Sequence, residues 1–173
     1  MTLITILPAK PSMATQKIKS SFGSCVNLDH CIYREGLEEP ASCYIIKSQS
    51  TGTRTIFNYN NLPEITLEEF TRTADKLGPE ATWCHFEVRL KTEYSRYALL
   101  ILAQGRTPEM TLQFIHYLRK QFPAVQVSVE IEKPGRSGLQ ELAEEADVVF
   151  YSKTWAQVGK AFRCAGCWKC ADS

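Results

Sequence analysis

The chain has 173 residues, 44% of them apolar and 23% charged, which suffices for a core but not for two large ones. Its 20 basic and 19 acidic residues are interspersed and leave a net charge of +1. Nucleic-acid and membrane surfaces need concentrated basic charge, so both partners are disfavoured. The apolar run 1–7 (M-T-L-I-T-I-L) is too short to cross a bilayer and lacks the basic start of a signal peptide, which makes a cytoplasmic location the default expectation.

Residues 1–26 break every periodic pattern with Pro8, Pro11, Ser12, Gly23 and Ser24 and are expected to form a disordered N-terminal segment, and most of the first forty residues read as loop or poorly ordered. Signal improves after Pro40. Residues 43–47 (C-Y-I-I-K) and 53–59 (T-R-T-I-F-N-Y) are rich in β-branched and aromatic side chains, and the polar stretch 48–52 between them reads as a turn. Together they predict a hairpin. Thr66 and Glu69 fit a capping box at the head of a helix whose apolar face is Leu67, Phe70, Ala74 and Leu77, and Gly78-Pro79 stops it.

A short strand is predicted over 82–86 (T-W-C-H-F), then a helix over 108–121 with Thr107 as its cap and Pro108 at its first position. Strict alternation in 125–131 predicts a strand. Ser137 can open a short helix over 139–146, residues 147–151 (D-V-V-F-Y) make another strand, and Trp155 begins a further helical stretch. Strands alternating with helices imply a parallel sheet. Ligands of open α/β sheets bind beyond the carboxyl ends of the strands, which here fall near Glu87, Lys133 and Lys153.

Read together, G-L-E-E-P-A-S-C-Y-I-I (36–46), T-G-T-R-T-I (51–56), N-L-P-E-I-T (61–66), W-C-H-F-E (83–87), G-R-T-P-E (105–109), V-S-V-E-I-E-K-P (127–134) and D-V-V-F-Y-S-K (147–153) resemble the PfkB, or ribokinase-like, carbohydrate kinases. The likeness is strongest to their fructokinase branch, the ketohexokinases, and follows the family order over 27–157. It implies an α/β fold, with part of a ribokinase-like parallel sheet, its helices, and a β-hairpin from the small lid over the sugar site. In such dimers the lid also makes the subunit contact, so a homodimer through the hairpin is implied.

The resemblance places Arg54 near the transferred phosphate, which suits a reaction catalysed by positive charge around anionic oxygens. Glu87 and Arg106 correspond to the family's H-x-E-G-R run, where they can pair with each other or serve the sugar and phosphate pocket. Lys133 falls near the nucleotide phosphates, and Lys153 near the nucleotide itself. ATP and Mg2+ are the implied cofactors and a fructose-like sugar the implied substrate.

Three departures stand against an intact kinase. The family's G-G-N-x-x-N sugar-binding segment and its G-A-G-D signature, whose aspartate is the general base, are both missing from these 173 residues. No catalytic residue is therefore assigned. Glu87 and Gly105, adjacent in the family, are separated here by 88–104, which reads as an insertion; valine codons begin with GT and glutamine's CAG ends in AG, as an unspliced intron does. Residues 158–173 leave the family and carry Cys164, Cys167 and Cys170 as C-x-x-C-x-x-C. Three thiolates can hold zinc or part of an iron–sulfur cluster, yet structural zinc takes four ligands and no second C-x-x-C exists. No metal ligand is assigned. Of the other cysteines, Cys43 and Cys84 lie in apolar runs and are expected to pack as small hydrophobes. The residues thus describe a partial sugar kinase without its base. A non-enzymatic association fragment and a small thiol metal-binding protein are the alternatives.

Overall fold

The computed structural model describes residues 1–87, 107–131 and 138–152, which fall into two compact units. Residues 1–73 belong to the first and the described residues from 74 onward to the second. The insertion at 88–104, the helical stretch after Trp155 and the cysteine-rich tail lie outside the described residues.

The first unit corrects the expectation of a loop or disordered segment at its start, since residues 1–26 contain a strand and a helix. Strand β1 (Ile6–Pro8) pairs in parallel with β2 (Ile32–Arg34), and helix α1 (Met13–Ser21) lies between them in sequence. Ser12 caps α1, its Oγ accepting from the Thr15 amide at 3.1 Å, while the buried Thr15 hydroxyl donates to the Pro8 carbonyl at 3.3 Å. Leu7, Leu28 and Cys31 are buried, with Leu3, Ile18, Val26 and Tyr33 packed against them. Burial pushes the Cys31 thiol above its ordinary pKa, so it stays neutral. These strands escaped the sequence pattern because three residues are too few to show alternation.

The predicted hairpin is present as β3 (Ser42–Lys47) and β4 (Arg54–Tyr59), antiparallel from Ser42↔Tyr59 to Lys47↔Arg54. Its turn closes through the Ser48 amide on the Thr53 carbonyl (2.9 Å) and the Gly52 amide on the Ser48 carbonyl (3.0 Å). Gly52 sits at φ 69°, which a side chain would strain. Neither face of the hairpin is packed: every residue of β4 is exposed. Cys43 is consequently exposed and Cys84 half-buried, so neither is the buried hydrophobe expected.

Helix α2 (Leu67–Leu77) opens on the predicted capping box, with both reciprocal bonds made: Thr66 amide to Glu69 Oε2 at 3.0 Å and Glu69 amide to Thr66 Oγ1 at 3.2 Å. The same carboxylate receives Arg34 from β2, whose Nη2 is 2.9 Å from Oε2. Arg34 also donates to the carbonyls of Pro63 (3.0 Å) and Glu64 (2.6 Å). One guanidinium thus ties β2 to the head of α2.

The second unit contains a three-stranded sheet of β5 (Trp83–Glu87), β6 (Gln126–Ile131) and β7 (Val148–Tyr151), all parallel in that order. Helices α3 (Pro108–Gln121) and α4 (Leu139–Glu145) connect them and pack on each other. Thr107 caps α3 as expected, accepting from the Met110 amide at 3.3 Å. Phe86, Val127, Val129 and Ile131 are buried on one sheet face, together with Phe114, Ile115 and Leu118 of α3 and Leu139 and Leu142 of α4. Gly138 precedes α4 at φ 79°, and a Cβ there would lie 3.1 Å from the Pro108 Cβ, so the two helix starts approach as closely as glycine allows. Arg119 donates to the carbonyls of Val125 and Glu145 and pairs with Asp147 at 2.9 Å; Asp147 in turn accepts the Val127 amide at 2.7 Å. A mixed α/β architecture is the result. No described helix is long and apolar enough to cross a membrane.

The Arg34 bond holds the Glu69 carboxyl at about 2, well below its usual 4.5. A lowered acid stabilises the fold above its unfolded pKa and loses that contribution as the pH falls toward the folded value. Urea midpoints measured between pH 7 and pH 2.5 should therefore show a loss below about pH 4.5 that Glu69→Gln removes; parallel curves for the two proteins would contradict this.

Candidate functional site

The structure places the sequence-predicted residues unevenly. Arg54 is the first residue of β4 in the first unit, and Glu87 is the last residue of β5 in the second. Arg106, Lys133 and Lys153 lie outside the described residues. Each unit is therefore built up separately.

At the tip of the hairpin, Arg54 stands directly opposite Lys47. Opposed residues of an antiparallel pair hold their Cβ atoms roughly 5 Å apart, and like charges in that position destabilise the pairing. Both side chains are exposed, and among the described residues neither forms an ion pair. Four hydroxyl residues occupy the adjoining turn. Ser48 Oγ lies 3.2 Å from Ser50 Oγ, Thr51 Oγ1 lies 2.7 Å from Thr53 Oγ1, and the Thr51 amide donates to Ser48 Oγ at 3.3 Å. Two cations beside a hydroxyl-rich turn form a surface suited to an anion. Lys47 was missed in the sequence because its partnership with Arg54 depends on the length of the turn. The hairpin prediction started the second strand one residue early, at Thr53, and so hid the pairing.

Glu87 is exposed and adjoins Glu130, its register partner on β6. The two carboxylates share one sheet face at the carboxyl end of their strands. This is the end at which ligands of open α/β sheets are held.

That same face holds a cluster the sequence did not announce. Ser128, fully buried at the centre of β6, takes the Trp83 indole N–H on its Oγ at 2.8 Å and meets His85 Nδ1 at 2.8 Å. His85 also stands edge-on to Phe150, with ring centroids 5.7 Å apart and planes at 77°. Trp83 and Phe150 remain 49% and 51% exposed, so this face is open where the opposite one is closed. The alternation W-x-H-x-E was a usable signal, since residues two apart on a strand share a face. Among the described residues no group of three or more His, Cys, Asp or Glu side chains is arranged to hold a metal ion.

Replacing Arg54 with Gln removes the repulsion against Lys47. Amide exchange in β3 and β4 should then slow by an amount equivalent to about 0.2–1 kcal/mol, with helix α3 unaffected as the internal reference. Faster exchange would mean that the two cations are not opposed in solution. In comparisons with known proteins, no family model matches the chain, and no curated protein matches it either.

Proposed function

We propose that this chain is part of a PfkB-type sugar kinase and that by itself it transfers no phosphate. The observation that carries the reading is the opposed pair of cations Lys47 and Arg54 at the hairpin tip. Such a pair costs stability in the free protein and is relieved when an anion lies between the charges. A phosphoryl group leaving ATP for a sugar hydroxyl is an anion of this kind, and its transfer depends mainly on positioned positive charge. The parallel β5–β6–β7 sheet, with Glu87 at a carboxyl end, agrees with the order of motifs that resembles the family.

The missing chemistry decides the activity. A sugar hydroxyl must lose its proton as it attacks, and a positioned base contributes typically ~10²–10⁴-fold to such a step. These residues carry no G-A-G-D signature to supply the base or the amide cradle at a helix start. ATP and Mg2+ belong to the intact family's reaction and are not productively used by the chain alone. Purified chain incubated with ATP, Mg2+ and fructose should form ADP at the background rate. Fructose-dependent ADP production well above that of an Arg54→Ala variant would refute the inactivity.

A second reading is favoured by the hairpin's apolar surface. Tyr44, Ile46 and Phe57 lie on one face at 67%, 63% and 56% exposure, with Tyr59 beside them. Contiguous exposed aromatics of this kind mark an association surface rather than scattered surface apolarity. The occupant we propose is the same hairpin of a second copy, since the two-stranded sheet leaves strand edges that can accept another strand. Sedimentation should show a dimer whose population rises with concentration and falls at least tenfold in association constant in Phe57→Lys. A monomer at all concentrations would eliminate this reading while leaving the first intact.

A further inference from the structure

We infer that Ser128 is a positioning residue that sets the tautomer of His85, making this histidine a hydrogen-bond donor on the open face of the β5–β6–β7 sheet. The inference is independent of the kinase reading and follows from counting protons at one buried oxygen. Ser128 Oγ carries a single hydrogen and can accept two hydrogen bonds. Among the described residues it has two partners, Trp83 Nε1 and His85 Nδ1, each at 2.8 Å. An indole nitrogen only donates, so the Trp83 bond uses one of the acceptor positions and cannot take the serine hydrogen. Ser128 is 0% exposed, which keeps that hydrogen from water. A buried donor left without an acceptor is disfavoured. The remaining acceptor is the Nδ1 lone pair of neutral His85. The proton of the imidazole then resides on Nε2.

The chain of donors runs Trp83 N–H to Ser128 O–H to His85 Nδ1, and it fixes both rings on the sheet. Phe150 adds an edge contact from β7. Among the described residues the charged groups on this face are Glu87 of β5 and Glu130 of β6; β7 contributes Val148 and Phe150 and no titratable side chain. With Nε2 protonated, neutral His85 offers a donor suited to an oxygen acceptor of a ligand, such as a carbonyl, hydroxyl or phosphate oxygen. The same proton makes Nε2 neither a metal ligand nor a general base while the Ser128 bond stands. This gives the exposed histidine a defined chemical polarity. The signal is local: it needs Trp83, His85 and Ser128 on adjacent strands in their observed register.

Nitrogen-15 NMR of the full chain labelled at histidine tests this directly, at alkaline pH where imidazoles are neutral. The chain contains three histidines, and His30, with no hydrogen bond from its ring among the described residues, serves as the internal reference. His85 should show one tautomer, with Nδ1 of pyridine type and Nε2 of pyrrole type, while His30 averages the two forms. Ser128→Ala should return His85 to the averaged pattern of His30. Trp83→Phe, which removes the indole donor but leaves the serine hydroxyl, should keep the single tautomer. An Nδ1–H form at His85, or averaging identical to that of His30 in the unmutated chain, overturns the inference even if Ser128→Ala fails to fold. So does release of the tautomer in Trp83→Phe, because the hydroxyl would then not be its determinant.

Discussion

The second unit depends on the asymmetry of a single strand, β6. Val127, Val129 and Ile131 are wholly buried on one face, and Phe114 and Ile115 of α3 and Leu142 of α4 are buried as well. Closing that face stabilises the parallel pairings on both sides of β6, since a parallel strand is held chiefly by the helices packed over it. Everything on the other face inherits its position from this packing. Ser128 sits between two buried valines and therefore points to the opposite side of the sheet, where Trp83 and His85 can reach it. Glu87 and Glu130 become neighbours for the same reason. The open face is arranged by the closed one.

The hairpin of the first unit follows a different logic. Its strands are held by their backbone ladder and turn, and its apolar side chains are not used for burial. Two-stranded sheets of this kind are marginal in isolation. The hairpin therefore carries two unsatisfied demands: aromatic area without a cover, and Lys47 facing Arg54 at its tip. An apolar surface would satisfy the first and an anion the second. In contrast, the strands at the start of the unit are tied inward, β1 through the Thr15 bond to Pro8 and β2 through the Arg34 bond to Glu69. A start tied inward and an exposed hairpin tip are thus combined in one unit.

Much of the element order was legible. The capping box of Thr66 and Glu69, the Thr107-Pro108 start of α3 and the strict alternation of β6 each place an element within a residue or two of where it forms. These signals are local, made by side chains that bond to or pack beside their own backbone. The start of the chain was illegible because β1 and β2 are three residues each and α1, M-A-T-Q-K-I-K-S-S, presents only a weak apolar stripe. For the candidate site, Glu87 was singled out from its place at a strand end and from the family resemblance, and Arg54 from the resemblance alone. Their immediate neighbours were not. Lys47 and Glu130 are known as neighbours only from the register of pairing, which no local pattern encodes.

By itself the sequence determined the periodicities, caps and turns, and with them a hairpin followed by alternating helices and strands. Those features arise from interactions across three or four residues, so the chain carries them in plain order. Tertiary structure alone decided which charges oppose one another and which rings share a hydroxyl. Strand register brings together residues more than forty positions apart, as it does Trp83, His85 and Ser128. A shift of one residue would send Ser128 to the closed face and leave His85 without its partner, because side chains alternate between faces at every step along a strand.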